Sequence, residues 1–462
     1  MKQERYQHLD ALRGYAIFTM VLSGTIAHGG VLPGWMYHAQ VPPPLHQFNP
    51  ELPGITWVDL VFPFFIFCMG AAIPIACRKY AEASNHRAVI GTAFRRFLLL
   101  ALFALTLEQF KFARISSQPT ISTFLLSVIG FLLLMVAFSK WPSFSKRIGS
   151  VINYTGIAAI VIVLWQLPLN DGAGFLLAKS DIIILVLANM ALFGTLLWWF
   201  TRNNPLLRIG VLPFVMAVFI AAKIEGSWNA WLFQLTPEPL IYKFYFLKYL
   251  FILVPGTIAG EWLLQYGDLS RQQVTQSQSR IAILLMLGLI LTNVTLLYTR
   301  ELVWNLVANG LLILVIQQFM QKEKVSMPLL YRFVQAGAYC ILLGLAFEAY
   351  EGGIKKDVST YSYYFVTSGL AFFAYAVVAL MAEWAGTAYI HRFFLWCGKN
   401  PMMAYVTGGL LLGPVLKLTG LYDHWAAMNT NAWIGFLKGF LFTMIACGIT
   451  IPFTKRGMIW KS

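Results

Sequence analysis

Thr56-Trp57-Val58-Asp59-Leu60-Val61-Phe62-Pro63-Phe64-Phe65-Ile66-Phe67-Cys68-Met69-Gly70-Ala71-Ala72-Ile73-Pro74-Ile75-Ala76-Cys77 decides the class of fold. An apolar run of this length, with Asp59 as its one charge, is enough for a helix to cross the roughly 30 Å of a bilayer's hydrocarbon core. Similar runs recur from end to end. Fourteen candidate spans are read at 11–31, 56–77, 94–110, 120–138, 149–167, 181–200, 208–223, 244–265, 281–298, 302–320, 333–350, 361–383, 396–416 and 432–453. The segment 227–243, with Trp228 and Trp231, reads as an interfacial stretch.

Composition agrees. Of 462 residues, 58% are hydrophobic and 11% charged, where a soluble domain carries about 25% charged residues. No polar stretch is long enough to fold separately, so one integral-membrane domain over residues 1–462 is expected, an all-α polytopic bundle of about 12–14 spans. Cys68, Cys77, Cys340, Cys397 and Cys447 lie in or beside apolar runs, so no disulfide framework is expected.

The net charge of +15 would raise nucleic acid as a partner in a soluble chain. Here its placement explains it better. With the N-terminus inside and the spans alternating, twenty-one Lys and Arg fall inside and seven outside. That is the positive-inside bias, and it puts both termini in the cytoplasm. No nucleic-acid partner is expected.

Polar groups at membrane depth are costly and default to a functional reading. Asp10 and Arg13, three apart at the start of the first span, share a helical face and can pair; helix-end charge and a snorkelling arginine account for them equally well. The loop before and into the second span carries His28, His38, His46, Asn49 and Glu51, with Pro42, Pro43, Pro44, Pro50 and Pro53 to give it a fixed shape. Histidine is the usual general base near neutral pH, although any single loop histidine is more often merely exposed. No metal-ligand spacing is present, and no metal is expected. Asp59, flanked by Val58, Leu60 and Val61, must face protein or water rather than lipid. Arg95 and Arg96 stand at the inside edge of the third span, as topological anchors or as phosphate ligands. Gly398-Lys399-Asn400-Pro401 opens a span and reads either as an ordinary helix start or as an anion-binding turn.

At this point the residues resemble a family. Leu9-Asp10-Ala11-Leu12-Arg13-Gly14 with Met20-Val21, Tyr37-His38-Ala39, and Gly54-Ile55-Thr56-Trp57-Val58-Asp59-Leu60-Val61-Phe62-Pro63 are similar to the opening of the transmembrane acetyltransferases typified by heparan-α-glucosaminide N-acetyltransferase. Ser362-Tyr363-Tyr364-Phe365-Val366-Thr367-Ser368-Gly369 and Gly398-Lys399-Asn400-Pro401 resemble its later segments. The likeness spans about two-thirds of the chain and is dense at residues 9–77 and 345–410. The sequence departs from the family at Ser23 or Gly24, where the family has an asparagine.

The resemblance implies an inner-membrane enzyme that moves the acetyl group of cytoplasmic acetyl-CoA to the amine of a hexosamine such as glucosamine. On this reading His38 is the general base, Asp59 its orienting partner and Asn400 the oxyanion donor. Arg13, Arg95, Arg96 and Lys399 would hold the donor's phosphates, and Asp10, His28, His46 and Asn49 are the further groups expected to meet substrate. A homodimer is an assembly to expect by analogy. Two rivals remain open: a secondary transporter for sugars or peptidoglycan fragments, and an envelope sugar O-acyltransferase, a family that also opens with Leu-Asp-x-x-Arg-Gly.

Overall fold

The structure is a computed structural model that describes residues 6–26, 32–167, 169–238, 240–267, 276–323, 326–382, 384, 386–428 and 431–461. It is all-α. In chain order the helices are α1 (Gln7–Ser23), α2 (Trp57–Glu82), α3 (His86–Gln109), α4 (Phe112–Ile115), α5 (Ile121–Phe138), α6 (Lys146–Gln166) and α7 (Ile182–Thr201). They continue with α8 (Pro205–Ala221), α9 (Trp228–Gln234), α10 (Leu250–Tyr266), α11 (Gln276–Tyr298), α12 (Leu302–Lys322) and α13 (Pro328–Ala346). The last six are α14 (Tyr361–Ala382), α15 (Ala388–Lys399), α16 (Pro401–Thr407), α17 (Gly413–Leu418), α18 (Leu421–Ala427) and α19 (Ala432–Lys455).

Among the described residues, twelve helices are long and apolar enough to cross a membrane, counting Pro401–Leu418 as one span and the turn preceding α10 as part of it. This is a multi-pass membrane protein. Two further expected spans, α1 and α8, are helices of 17 residues, at the lower limit for crossing. α2 keeps Pro63 and Pro74 in its interior, which apolar surroundings and neighbouring helices allow in a membrane. The expected span 396–416 is two pieces. α15 ends at Lys399 and α16 starts at Pro401, so the span begins at the proline. Trp228 and Trp231 of the interfacial stretch are exposed on the short α9.

The chain divides into two compact units, where composition alone reads as one domain. One unit is residues 1–78, 251–398 and 431–433; the other is residues 79–250, 399–430 and 434–462. No polar linker marks the division, because both units are made of the same apolar helices.

In the first unit α14 is buried along almost its whole length, and α1, α11 and α13 pack on it. α12 faces outward with Val303, Trp304, Leu311 and Leu314 exposed. It is fastened to α11 by fully buried amides: Asn293 donates to Asn309, and Asn309 donates to Asn305 at 2.9 Å. Interhelical amide bonds of this kind hold membrane helices that have no hydrophobic drive to associate. α1 and α15 touch backbone to backbone at Gly14 and Gly398. A Cβ on Gly14 would lie 1.8 Å from the Phe394 carbonyl oxygen, and one on Gly398 would lie 1.7 Å from that of Asp10. Both glycines of the family-like motifs are therefore needed for helix contact.

Three connections meet at one end of this unit: residues 32–56, the turn at 299–301 and residues 347–360. The Gly54 amide donates to the Ile354 carbonyl at 2.7 Å, Arg300 pairs with the buried Glu348 at 2.5 Å, and Glu348 accepts from the Ile354 amide at 3.2 Å. In the second unit α3 packs on α7 and α5 on α6. The chain end is stitched on by Lys140 donating to the Ile459 carbonyl and Lys461 to that of Phe138, at 2.9 and 2.8 Å.

Candidate active site

The local sequence at the start of α2 builds the site. Thr56 precedes the helix and Asp59 is three residues on, the spacing of a capping box. Asp59 Oδ2 accepts from the Thr56 amide at 2.9 Å and from the Ala39 amide at 3.2 Å. The Thr56 hydroxyl reaches the Tyr37 carbonyl at 2.7 Å, which ties the histidine loop to the helix start. Asp59 is fully buried, and the positive end of the helix faces its carboxylate.

The other oxygen, Oδ1, lies 3.0 Å from Nδ1 of His38. The Lys356 ammonium is 3.7 Å from the same oxygen. On the far side of the ring, Nε2 is 3.2 Å from Oδ2 of Asp357. The imidazole thus sits between two carboxylates, one buried and one whose side chain is 49% exposed. Burial alone would raise the Asp357 carboxyl; the hydrogen bond with His38 and the charges of Lys356 and His38 outweigh it and hold the group below the usual aspartate range.

Gln40 fixes the two loops to one another. Its side chain is fully buried. Nε2 donates to the Pro50 carbonyl at 3.1 Å and to the Asp357 carbonyl, while Oε1 accepts from the Asp357 amide at 2.9 Å. Behind the site, the Tyr363 hydroxyl donates to the Asp59 carbonyl at 2.7 Å. Gln40, Lys356, Asp357 and Tyr363 were not among the residues singled out from sequence. One signal existed: Lys355 and Lys356 are adjacent cations on the side that the Lys and Arg count takes as outside, where positive charge is expected to be sparse. Lys355 pairs with Glu51 at 3.4 Å; Lys356 serves Asp59.

The structure therefore brings His38 and Asp59 together, and separates other expected members. His46 packs edge-on against Tyr37, ring centroids 4.5 Å apart. Asn49 turns its carbonyl onto the Glu51 amide at 3.0 Å and shapes its own loop. His28 lies outside the described residues. Asp10 pairs with Arg13 at 3.1 Å, in the first turn of α1, a helix that rises about 25 Å before the histidine loop begins.

Asn400 is corrected. Its amide nitrogen donates to the Met458 carbonyl at 3.1 Å and approaches Met403 Sδ at 3.4 Å, and its oxygen accepts from the Trp460 amide at 3.0 Å. Both ends are committed and the residue is fully buried, so no donor is left for an oxyanion. Lys399 ends α15 and is half-buried.

Arg95 is exposed and Arg96 half-buried on α3. Burial, and then the charges of Lys140, Arg95 and Lys146, lower the Lys461 ammonium. Those four cations form a patch of one sign in the second unit, and among the described residues none of the four pairs with a carboxylate.

An apolar cavity of about 310 Å³ runs between α1, α2, α11, α14 and α15 in the first unit. Trp57 and Leu60, on either side of Asp59 in sequence, line it, as does His391, 3.1 Å from the buried His8. Leu291 and Ile390, both exposed, also line it. Among the described residues no group of three or more His, Cys, Asp or Glu side chains could hold a metal ion.

A family model described as a domain of unknown function, DUF5009, matches residues 5–263, more than half of the chain. The chain belongs to the DUF5009 family. No curated protein matches it. The DUF5009 match takes in His38, Gln40, Asp59, Arg95 and Arg96 and stops well before Lys356 and Asp357, so half of the site's charge lies beyond the DUF5009 segment.

Proposed function

We propose that this protein is an acetyl-CoA-dependent transmembrane N-acetyltransferase acting on the amine of a hexosamine such as glucosamine, in a bacterial inner membrane. The observation that carries this reading is the contact of His38 Nδ1 with the buried Asp59 carboxylate. A buried carboxylate beside an imidazole orients the ring and favours the positive charge it gains on accepting a proton.

The chemistry then follows from that ring. The sugar amine attacks the carbonyl carbon of the thioester, and a C–N bond forms as His38 Nε2 accepts the amine proton. The C–S bond breaks, and the leaving thiolate takes that proton, giving an amide and a free thiol. Lys356, 23% exposed and 3.7 Å from Asp59, balances the buried charge. Arg13, Arg95, Arg96 and Lys399 are the candidates for the donor's phosphates, since a guanidinium or ammonium suits phosphate. His38 and Asp59 keep their expected roles, and the oxyanion donor is left unassigned.

The test is direct. Protein purified in detergent, given acetyl-CoA labelled in the acetyl group and glucosamine, should yield labelled N-acetylglucosamine. A transporter would yield none.

A further inference from the structure

Backbone pairing in the second unit brings Lys140 and Lys461 side by side. The Lys140 amide donates to the Ile459 carbonyl at 2.9 Å and the Lys461 amide to the Phe138 carbonyl at 2.8 Å, on either side of an antiparallel bridge between Ser139 and Trp460. Ser139 and Trp460 are buried, with the indole against Phe103 and Phe131. Successive side chains on extended backbone point to opposite sides. Lys140 and Lys461 therefore turn together to the other side, where both are exposed. Arg95 on α3 and Lys146 at the start of α6 are close enough for their charges to act on Lys461. Lys146 and Arg147 open the first turn of α6, which holds no acidic residue, although a helix start disfavours cations. No Asp or Glu occurs in residues 86–107, 120–169 or 431–462, the segments that build the patch. Like charges gathered without a carboxylate repel one another, and an external anion relieves that repulsion.

Helix α6 indicates what carries that anion. It packs on α5 and leaves Ile148, Val151, Tyr154, Ile162 and Trp165 exposed along its length. On a helix long and apolar enough to span a membrane, such a face meets hydrocarbon. Phe144, two residues before Lys146, is also exposed. The cations thus stand at the end of a lipid-facing surface, on the side that the Lys and Arg count takes as cytoplasmic. We propose that Lys140, Lys146, Arg147 and Lys461 form a binding site for the headgroup phosphate of an anionic phospholipid, whose acyl chains lie along the exposed face of α6. Basic clusters at a membrane surface attract anionic lipid by charge. A phospholipid answers both halves of this surface: its phosphate meets the ammonium and guanidinium groups, and its chains cover Ile148 and Val151. A soluble phosphate ligand such as acetyl-CoA would use the cations and leave the apolar face uncovered. The inference does not depend on the acetyltransferase reading.

The experiment is native mass spectrometry of the full-length protein in detergent, titrated with phosphatidylglycerol, with phosphatidylcholine and with acetyl-CoA. Wild type is compared with Lys140→Gln/Lys461→Gln and with a control, Lys322→Gln/Arg332→Gln, that removes two exposed cations elsewhere. The bridge is made by backbone, so glutamine at 140 and 461 keeps it. Wild type should bind phosphatidylglycerol more tightly than phosphatidylcholine, and added salt should weaken that preference. The patch variant should lose about fivefold in phosphatidylglycerol affinity for each cation removed and keep its affinity for phosphatidylcholine. The control should bind as wild type does. Equal affinity of wild type for the two lipids, or an equal loss in the control and the patch variant, would overturn the site. Loss of acetyl-CoA binding in the patch variant with phosphatidylglycerol binding unchanged would give the patch to a soluble phosphate ligand and overturn it as well.

Discussion

Asp59 turns one carboxylate oxygen to the backbone at the start of its own helix and the other to Nδ1 of His38, 3.0 Å away. One side chain thus caps α2 and orients the ring, so the geometry of a loop histidine is set by a membrane-spanning helix. The rest of the account depends on this coupling of loop to helix.

Asn400 gives the first prediction. Its amide joins the Pro401 helix start to residues 458–460. Asn400→Ala strands a buried carbonyl and a buried amide, each worth about 1–3 kcal/mol. The thermal midpoint should fall clearly, while acetyl transfer per folded molecule stays within a few-fold of wild type. Unfolding followed by tryptophan fluorescence, with activity on the same sample, checks this. Full stability with lost activity would return Asn400 to the chemistry.

The misreading of Asn400 shows what sequence can and cannot carry. A Gly-Lys-Asn-Pro turn into a helix looks like an anion site because only its local neighbours are visible; the partner that fills it lies near residue 460. Asp59 was legible because a charge inside an apolar run has few places to go, and the spans were legible because apolar length is a strong signal. His38 stood out from His46 through the family-like Tyr-His-Ala and through its place near Gly34 and Trp35 at the mouth of the first span. Asp357 and Gln40 were not legible. They are ordinary loop residues more than three hundred positions apart, and nothing periodic announces that they meet.

Sidedness follows from helix α2. Gln47 lies on the loop before it and Ser84 just after it, and both are exposed. All five native cysteines are buried, so background labelling should be low. In intact cells, an impermeant thiol reagent should label Gln47→Cys and spare Ser84→Cys until the membrane is opened. The reverse pattern would invert the orientation and place the histidine site in the cytoplasm.

Arg95 stands in a patch of cations with Lys140, Lys146 and Lys461. If that patch holds the donor's phosphates, Arg95→Ala should weaken acetyl-CoA binding about tenfold or more, with acceptor KM unchanged. Raising salt should weaken wild-type binding in the same direction. Equal acetyl-CoA affinity in the two proteins would reduce Arg95 to a topological anchor.

Acid stability reports on Asp357. Its carboxyl is held below the usual aspartate range, so the charged form favours the folded state. That contribution is complete above the unfolded value of about 3.9 and is lost as pH falls through the lower folded value. The gap in thermal midpoint between wild type and Asp357→Asn should hold steady above about pH 5 and shrink as pH drops below about 4. A gap that stays constant through that acid range would show that the carboxylate charge does not stabilise the fold.

The most direct test of the central claim is acetyl transfer from labelled acetyl-CoA to glucosamine, measured side by side for wild type and His38→Ala at matched levels of folded protein. Wild type should form labelled N-acetylglucosamine. His38→Ala should be slower by about a hundred- to ten-thousandfold, the usual contribution of a general base, while still binding acetyl-CoA. No transfer by wild type, or a His38→Ala rate equal to wild type, would contradict the account.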